Sequence, residues 1–177
     1  MAPNIILVDE NDNITGRCEK LSAHQCGKLH RAFSIFILNS KNELLIQQRA
    51  FQKYHSGGLW SNTCCSHFTS GKNLRKQANK RLIEEMQIHS SLKWIFNYRY
   101  SVLFENSLKE NELVYAYLGF SNENPVPDPK EINDWKWIDI DSLKEDMISF
   151  ANKYSFWFKY SFDDFIKSIN AYLNNPF

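Results

Sequence analysis

Phe33-Ser34-Ile35-Phe36-Ile37-Leu38 is apolar on both of the faces that an extended chain presents, since side chains alternate from one side to the other along a strand. A strand of that kind belongs in the middle of a sheet covered above and below. Residues 44–48, Leu-Leu-Ile-Gln-Gln, follow across the turn-forming stretch Asn39-Ser40-Lys41-Asn42-Glu43, so a second strand is expected to fold back on the first. The pair predicts a layered architecture with helices on both sides of a sheet.

The segments on either side fit that frame. Upstream, residues 4–9 and 14–18 read as two strands around the polar Glu10-Asn11-Asp12-Asn13. Downstream, over residues 72–88, Leu74, Ala78 and Leu82 recur at helical spacing, with Ile83 and Met86 widening the stripe and Gly71 as a break before it. Residues 94–103 and 113–120 are strand-like runs around the polar stretch 105–112. Pro125, Pro127 and Pro129 mark a loop, residues 135–140 resume a strand, and Ser142 is a possible helix start. Phe162, Phe165, Ile166, Ile169 and Leu173 predict a C-terminal amphipathic helix closed by Asn174-Asn175-Pro176. No repeat or long linker divides the chain, so residues 1–177 are expected to form one domain of the α/β or α+β class, with a mixed sheet between helices.

Composition excludes several roles. With 21 basic and 20 acidic residues the net charge is only +1, so no chain-wide field favours nucleic acid or an anionic membrane. The apolar run at residues 5–8 is followed at once by Asp9, Glu10 and Asp12, unlike a signal peptide, and no stretch of about 18 apolar residues occurs. A cytoplasmic location is expected. Cys18, Cys26, Cys64 and Cys65 have no paired C-x-x-C spacing, which points to reduced thiols.

The chemistry-bearing stretch is Trp60-Ser61-Asn62-Thr63-Cys64-Cys65-Ser66-His67. If it is extended, Cys65 and His67 share a face, and by the same rule Glu110 and Glu112 share one with Asn111 opposite. Two carboxylates that close call for a cation or a shared proton. With His24, His30 and His67 they would make a nitrogen and oxygen site suited to Mn, Fe, Mg or Zn. The spacing alone is not diagnostic, and ordinary satisfied histidines are the commoner outcome. Arg81 and Glu85 are i, i+4 neighbours that read plainly as a surface ion pair. Lys20, Arg49 and Lys53 could meet an anion, while Tyr100 and Trp157 read singly as packing residues.

Taken together, these segments resemble the type I isopentenyl-diphosphate isomerases of the Nudix superfamily. The carriers are Glu19-Lys20-Leu21-Ser22-Ala23-His24, Leu29-His30-Arg31-Ala32-Phe33-Ser34, Gln48-Arg49-Ala50, Leu59 through His67, the helix segment from Arg81 to Glu85, Glu110-Asn111-Glu112 and Trp135-Lys136-Trp137-Ile138-Asp139. The resemblance implies a Nudix-like mixed sheet sandwiched between helices. It also implies interconversion of isopentenyl and dimethylallyl diphosphate, in isoprenoid biosynthesis, by protonation and deprotonation of a carbon-carbon double bond. On that footing His24, His30, His67, Glu110 and Glu112 match the ligands of a Mn or Zn ion, and Glu85 helps hold Mg on the substrate diphosphate. Cys65 and Glu112 match the catalytic pair, helped by Tyr100, and Cys64 has no required role. Lys20, Arg49, Lys53 and Arg81 match diphosphate-binding bases, and Trp157 an indole facing the hydrocarbon. The partner implied is a small isoprenoid diphosphate, with neither nucleic acid nor membrane, bound by a monomer or weak dimer.

Three features depart from the pattern. Lys80-Arg81 stands where a Nudix hydrolase has Arg-Glu and Gln87 where it has Gly, which disfavours hydrolysis; Phe68 follows His67 where relatives often carry Pro; and the His24 to His30 spacing is open to variation in loop length. The rival readings are a nucleotide pyrophosphohydrolase using Glu84 and Glu85, and a structural zinc module. The first leaves Cys65 and Glu112 idle, and the second lacks tetrahedral ligand spacing.

Overall fold

The apolar run at the centre of the sequence becomes strand β3, His30–Leu38, buried at every one of its nine positions in the computed structural model, which describes residues 4–174. It runs between β8 (Lys109–Phe120), parallel to it, and β6 (Cys64–His67), antiparallel to it. The N-terminal hairpin is β1 (Asn4–Val8) and β2 (Ile14–Glu19), and β1 meets β3 at Leu7 and His30. On the other side β4 (Leu44–Arg49) pairs with β5 (Trp60–Ser61) and with β9 (Ile132–Ile138), while β7 (Lys93–Leu103) forms a long hairpin with β8. All nine strands belong to one mixed sheet.

The helices are α1 (Lys20–Gln25), α2 (Leu74–Met86), α3 (Ile140–Ser149) and α4 (Phe156–Asn174), with a 3-10 turn at Ala151–Lys153. Alternation along β3 sorts its side chains between two cores. Ala32, Phe36 and Leu38 pack with Phe158, Phe162 and Phe165 of α4, whereas Phe33, Ile35 and Ile37 pack with Ala78, Leu82 and Met86 of α2. Each large side chain withdrawn from water contributes about 1.5–3 kcal/mol, so a strand apolar on both sides anchors both layers at once. The expected mixed sheet between helices is what forms.

Boundaries shifted where local chemistry outweighed periodicity. Helix α2 starts at Leu74, behind Asn73 in the left-handed conformation (φ 53°) with no side-chain cap. The chain ahead of it is shaped instead by Gln77, whose side-chain oxygen accepts from the Thr69 and Ser70 amides and whose amide donates to the Ser70 and Lys72 carbonyls. Helix α3 is capped by Asp139, which accepts from the Ser142 amide at 3.0 Å, so Ser142 lies inside the first turn and is not the cap. Helix α4 begins at Phe156, six residues before the first residue of the predicted stripe, and the Asn175-Pro176 part of the predicted stop lies outside the described residues. Helix α1 has no apolar stripe to betray it; the Glu19 carboxylate caps it by accepting from the Leu21 and Ser22 amides.

Candidate active site

Strand β3 sets the positions of the reactive side chains. His30 lies beside Glu112 of β8, while Ala32 lies beside His67 and Ser34 beside Cys65 of β6. Across the β7 and β8 hairpin Tyr100 faces Glu112. Directly paired residues project from the same side of a sheet. The register therefore gathers His30, Cys65, His67, Tyr100, Glu110 and Glu112 on the side covered by α4, which brings Trp157. Helix α1 adds His24, and the loop of residues 50–59 adds His55.

His24, His30, His67 and Glu112 offer ligand atoms that all lie within 4.8 Å of one another. The Lys28 carbonyl 2.7 Å from His30 Nδ1 can only accept, so that nitrogen carries a proton and Nε2 faces the group. Burial opposes a second proton on the ring, but Glu112 outweighs it and raises the affinity of His30 for one, so a cation would compete with a proton at Nε2. The Tyr54 hydroxyl lies 3.1 Å from His24 Nδ1. The Nε2 atoms of both rings are buried without a hydrogen-bond partner. Such atoms are costly unless something accepts their lone pairs. Glu112 Oε1 stands 2.8 Å from His67 Nε2 and 3.4 Å from His30 Nε2. Burial pushes the His67 imidazole well below its usual range, and burial with the neighbouring His67 and His30 drives His24 down to about 3. Imidazole nitrogens and a carboxylate are the donor set of a divalent cation, and these residues fit one.

The carboxylates are held by hydrogen bonds. Burial raises the affinity of Glu112 for a proton, but the His30 and Tyr100 contacts outweigh it and leave the group below the usual carboxylate range. The Tyr100 hydroxyl is shared between Glu110 Oε2 (2.6 Å) and Glu112 Oε2 (2.9 Å). Of the five expected ligands, Glu110 stands outside the four-residue group: its Oε1 faces His55 Nε2 at 3.1 Å. Glu85 is also apart from it, buried on the α2 side against Arg81 and the Cys64 thiol.

Cys65 lies in a polar pocket. Its thiol donates to Asn62 Oδ1 at 2.9 Å, and the Trp157 Nε1 hydrogen is directed at Cys65 Sγ (3.2 Å) and at Ser61 Oγ (2.9 Å). Burial pushes the thiol up to about 11 against the pull of Arg49 and of hydrogen bonds with Ser61, Trp157 and Ser34, so it keeps its proton at neutral pH.

The expected anion-binding bases separate into two groups. Lys20 and Arg49 line one cavity with Cys65, Glu112 and Trp157. A register shift at Gln48 and Arg49 turns Arg49 toward α4, where its guanidinium carbon is 5.0 Å from the Trp157 ring. Arg81 reaches Glu84, Glu85 and Glu131 in a groove next to the cavity that Lys20 also lines, and Lys53 is ion-paired with the same Glu131. Sequence reasoning missed His55, Asn62, Ser61 and Ser34 as site residues. Ser61 and Asn62 lay inside the Trp60–His67 stretch without a role of their own, and for His55 the signal was the paired glycine in Tyr54-His55-Ser56-Gly57-Gly58, which marks a tight loop but not its direction.

Fold and site together define a class. The NUDIX domain model matches residues 28–158, so this is a NUDIX-domain protein. At the level of fold, the crystal structure of DR0079 from Deinococcus radiodurans agrees with a TM-score of 0.69 at 18% identity, covering 83% of this chain and 90% of that one. The sequence relatives are more specific. The chain is 45% identical over 163 residues, 92% of each protein, to isopentenyl-diphosphate Delta-isomerase 1 of Aromatoleum aromaticum. It is 42% identical over 158 residues, 89% of this chain and 88% of the relative, to the isopentenyl-diphosphate Delta-isomerase of Pectobacterium atrosepticum. The chain belongs to the isopentenyl-diphosphate Delta-isomerase family.

Proposed function

We propose that residues 1–177 act as one unit that interconverts isopentenyl and dimethylallyl diphosphate. The observation that carries this reading is that Cys65 and Glu112 line the same cavity as the bases Lys20 and Arg49; burial favours the proton on the thiol, and the His30 and Tyr100 contacts favour the charge on the carboxylate. Adding a proton to the terminal carbon of the alkene leaves a tertiary cation. Removing a proton from the neighbouring methylene then forms the more substituted alkene, so one group must hold a proton while another is free to take one. Cys65 and Glu112 fill those roles, and Tyr100, hydrogen-bonded to Glu112, adjusts the basicity of its carboxylate.

Water must be kept from the cation. Glu110, Glu112 and Tyr100 are each under 7% exposed, and Trp157 is 4% exposed beside them. The indole directs its N–H at Cys65, orienting the sulfur, and its ring borders the space meant for the hydrocarbon. Arg49 and Lys20 are placed to receive the diphosphate, with Arg81 and Lys53 at its outer side beside Glu131.

In this reading His24, His30, His67 and Glu112, with Glu110 beside them, would hold Mn or Zn, and Glu85 would share a Mg with the diphosphate. A divalent ion at the histidines would stabilise the charged form of the carboxylate bound to it. The proposed setting is the cytoplasm, as a monomer or weak dimer with no nucleic-acid or membrane partner. Among the described residues no helix is long and apolar enough to cross a membrane. Incubation with isopentenyl diphosphate in deuterated water tests the function: deuterium in the hydrocarbon with an intact diphosphate is expected, and phosphate release without deuterium would overturn it.

A further inference from the structure

We infer that His55 is a positioning residue for Glu110, fixing the orientation of that carboxylate at the edge of the group formed by His24, His30, His67 and Glu112; this rests on the metal-site reading above. His55 is only 8% exposed although it comes from a loop. Its Nε2 lies 3.1 Å from Glu110 Oε1, while the other Glu110 oxygen is taken by Tyr100 at 2.6 Å. Both oxygens of one carboxylate are thus held by rings that cannot turn freely. The His55 ring is flat on Phe104 (centroids 4.6 Å apart, 12° between planes) and edge-on to Trp157 (5.9 Å, 89°), and its Nδ1 is 3.4 Å from Ser56 Oγ.

The loop is shaped to bring this ring inward. Arg49 and the residues at 58 and 59 close its base, with Arg49 N donating to the Leu59 carbonyl and Gly58 N to the Arg49 carbonyl, both at 2.9 Å. Ser56 adopts a left-handed conformation (φ 53°), and a side chain at Gly57 would meet the Phe51 carbonyl oxygen at 2.5 Å. His55 offers no ligand atom to the four-residue group itself. Its buried contacts act on Glu110, which the proposed reading adds to the four residues as a further ligand, and an outer residue of this kind sets a ligand's orientation and basicity. Loss of such a partner commonly weakens metal affinity about 10–100-fold.

The test uses the full chain stripped of metal and titrated with Mn2+, with affinity and stoichiometry read by equilibrium dialysis and metal analysis. His55→Leu is expected to bind one Mn2+ about 10–100-fold more weakly, with turnover restored at saturating Mn2+. His55→Gln, which keeps an N–H near Glu110, should recover much of the loss. His24→Ala, which removes a member of the group, should abolish stoichiometric binding. Wild-type affinity in His55→Leu overturns the inference and leaves the site standing. Loss of stoichiometry in His55→Leu equal to that of His24→Ala also overturns it, because His55 would then be a ligand. Undiminished binding in His24→Ala removes the site and the inference with it. If His55→Leu fails to fold, Phe104→Leu, which frees the ring without touching the site, must weaken Mn2+ in the same direction for the inference to survive.

Discussion

Cys64 and Cys65 are adjacent in the chain yet lie on opposite faces of the sheet: the Cys64 thiol meets Glu85 Oε2 at 3.4 Å beneath α2, and Cys65 meets Trp157 Nε1 at 3.2 Å beneath α4. The pleat alone separates them, since successive side chains on β6 must point apart. Cys65→Ala should lower kcat by at least about 10²–10⁴-fold, the range for losing a proton-transfer group. Cys64→Ala should keep kcat within a few-fold and lose about 1 kcal/mol of stability from the space left in the core. Steady-state kinetics and thermal melts of both variants decide; a dead Cys64→Ala enzyme would mean the wrong thiol has been chosen.

Glu112→Gln should also remove turnover while the protein stays folded, because an amide cannot take up a proton at neutral pH and still fits the space beside Tyr100. Circular dichroism matching the parent, together with loss of deuterium incorporation, is the expected pair of results. Near-normal turnover would refute the assignment.

The Cys65 thiol gives a pH dependence. Its folded value is raised from 9.0 to about 11, so the fold favours the protonated form. That contribution to stability is complete below the unfolded value near pH 9 and is lost as pH climbs toward 11. The thiolate is the reactive species, so in a Cys18→Ser, Cys26→Ser background iodoacetamide should label Cys65 slowly at pH 7–8, with a rate rising about tenfold per pH unit toward 11. Mass spectrometry of the labelled peptide measures it. A rate that levels off near pH 8 would contradict the buried, protonated thiol.

Gln87 closes α2 in the left-handed conformation, φ 54° and ψ 29°. A side chain there is strained where glycine is not, so Gln87→Gly should stabilise the protein by about 0.5–1 kcal/mol. Gln77→Ala should destabilise it by about 1–3 kcal/mol, since the residue's side chain satisfies four backbone groups of residues 69–72. Urea melts with unchanged m-values read both. A destabilised Gln87→Gly would show that the strain is balanced by contacts of the side chain.

Chelation separates a catalytic ion from a structural one. Apolar side chains pack against both faces of β3 beyond the histidine group, so removing metal should silence turnover and leave the far-ultraviolet circular dichroism unchanged. A structural zinc module would unfold instead. Activity should return on adding Mn2+ or Zn2+ with Mg2+.

Patterns that repeat within a few residues were legible in the sequence itself. Alternation put Phe33 through Leu38 at the centre of the sheet, placed Cys65 with His67, and placed Glu110 with Glu112; the period of 3.6 marked α2 and most of α4. The composite of motifs carried the family. Partner choice across long separations was not legible. Nothing near His30 says that it will stand beside Glu112, 82 residues later, and nothing in Glu110 says that one oxygen will face His55 instead of the histidine group. Lys53 reads as a base open to an anion and Arg81 as paired with Glu85 alone, yet the fold sets both against Glu131, and α1 formed around a single capping carboxylate. Periodicity is fixed by the geometry of one strand or helix, whereas register, burial and pairing depend on which elements pack together. The chain could therefore announce its chemical groups, and only the assembled sheet could decide which of them meet.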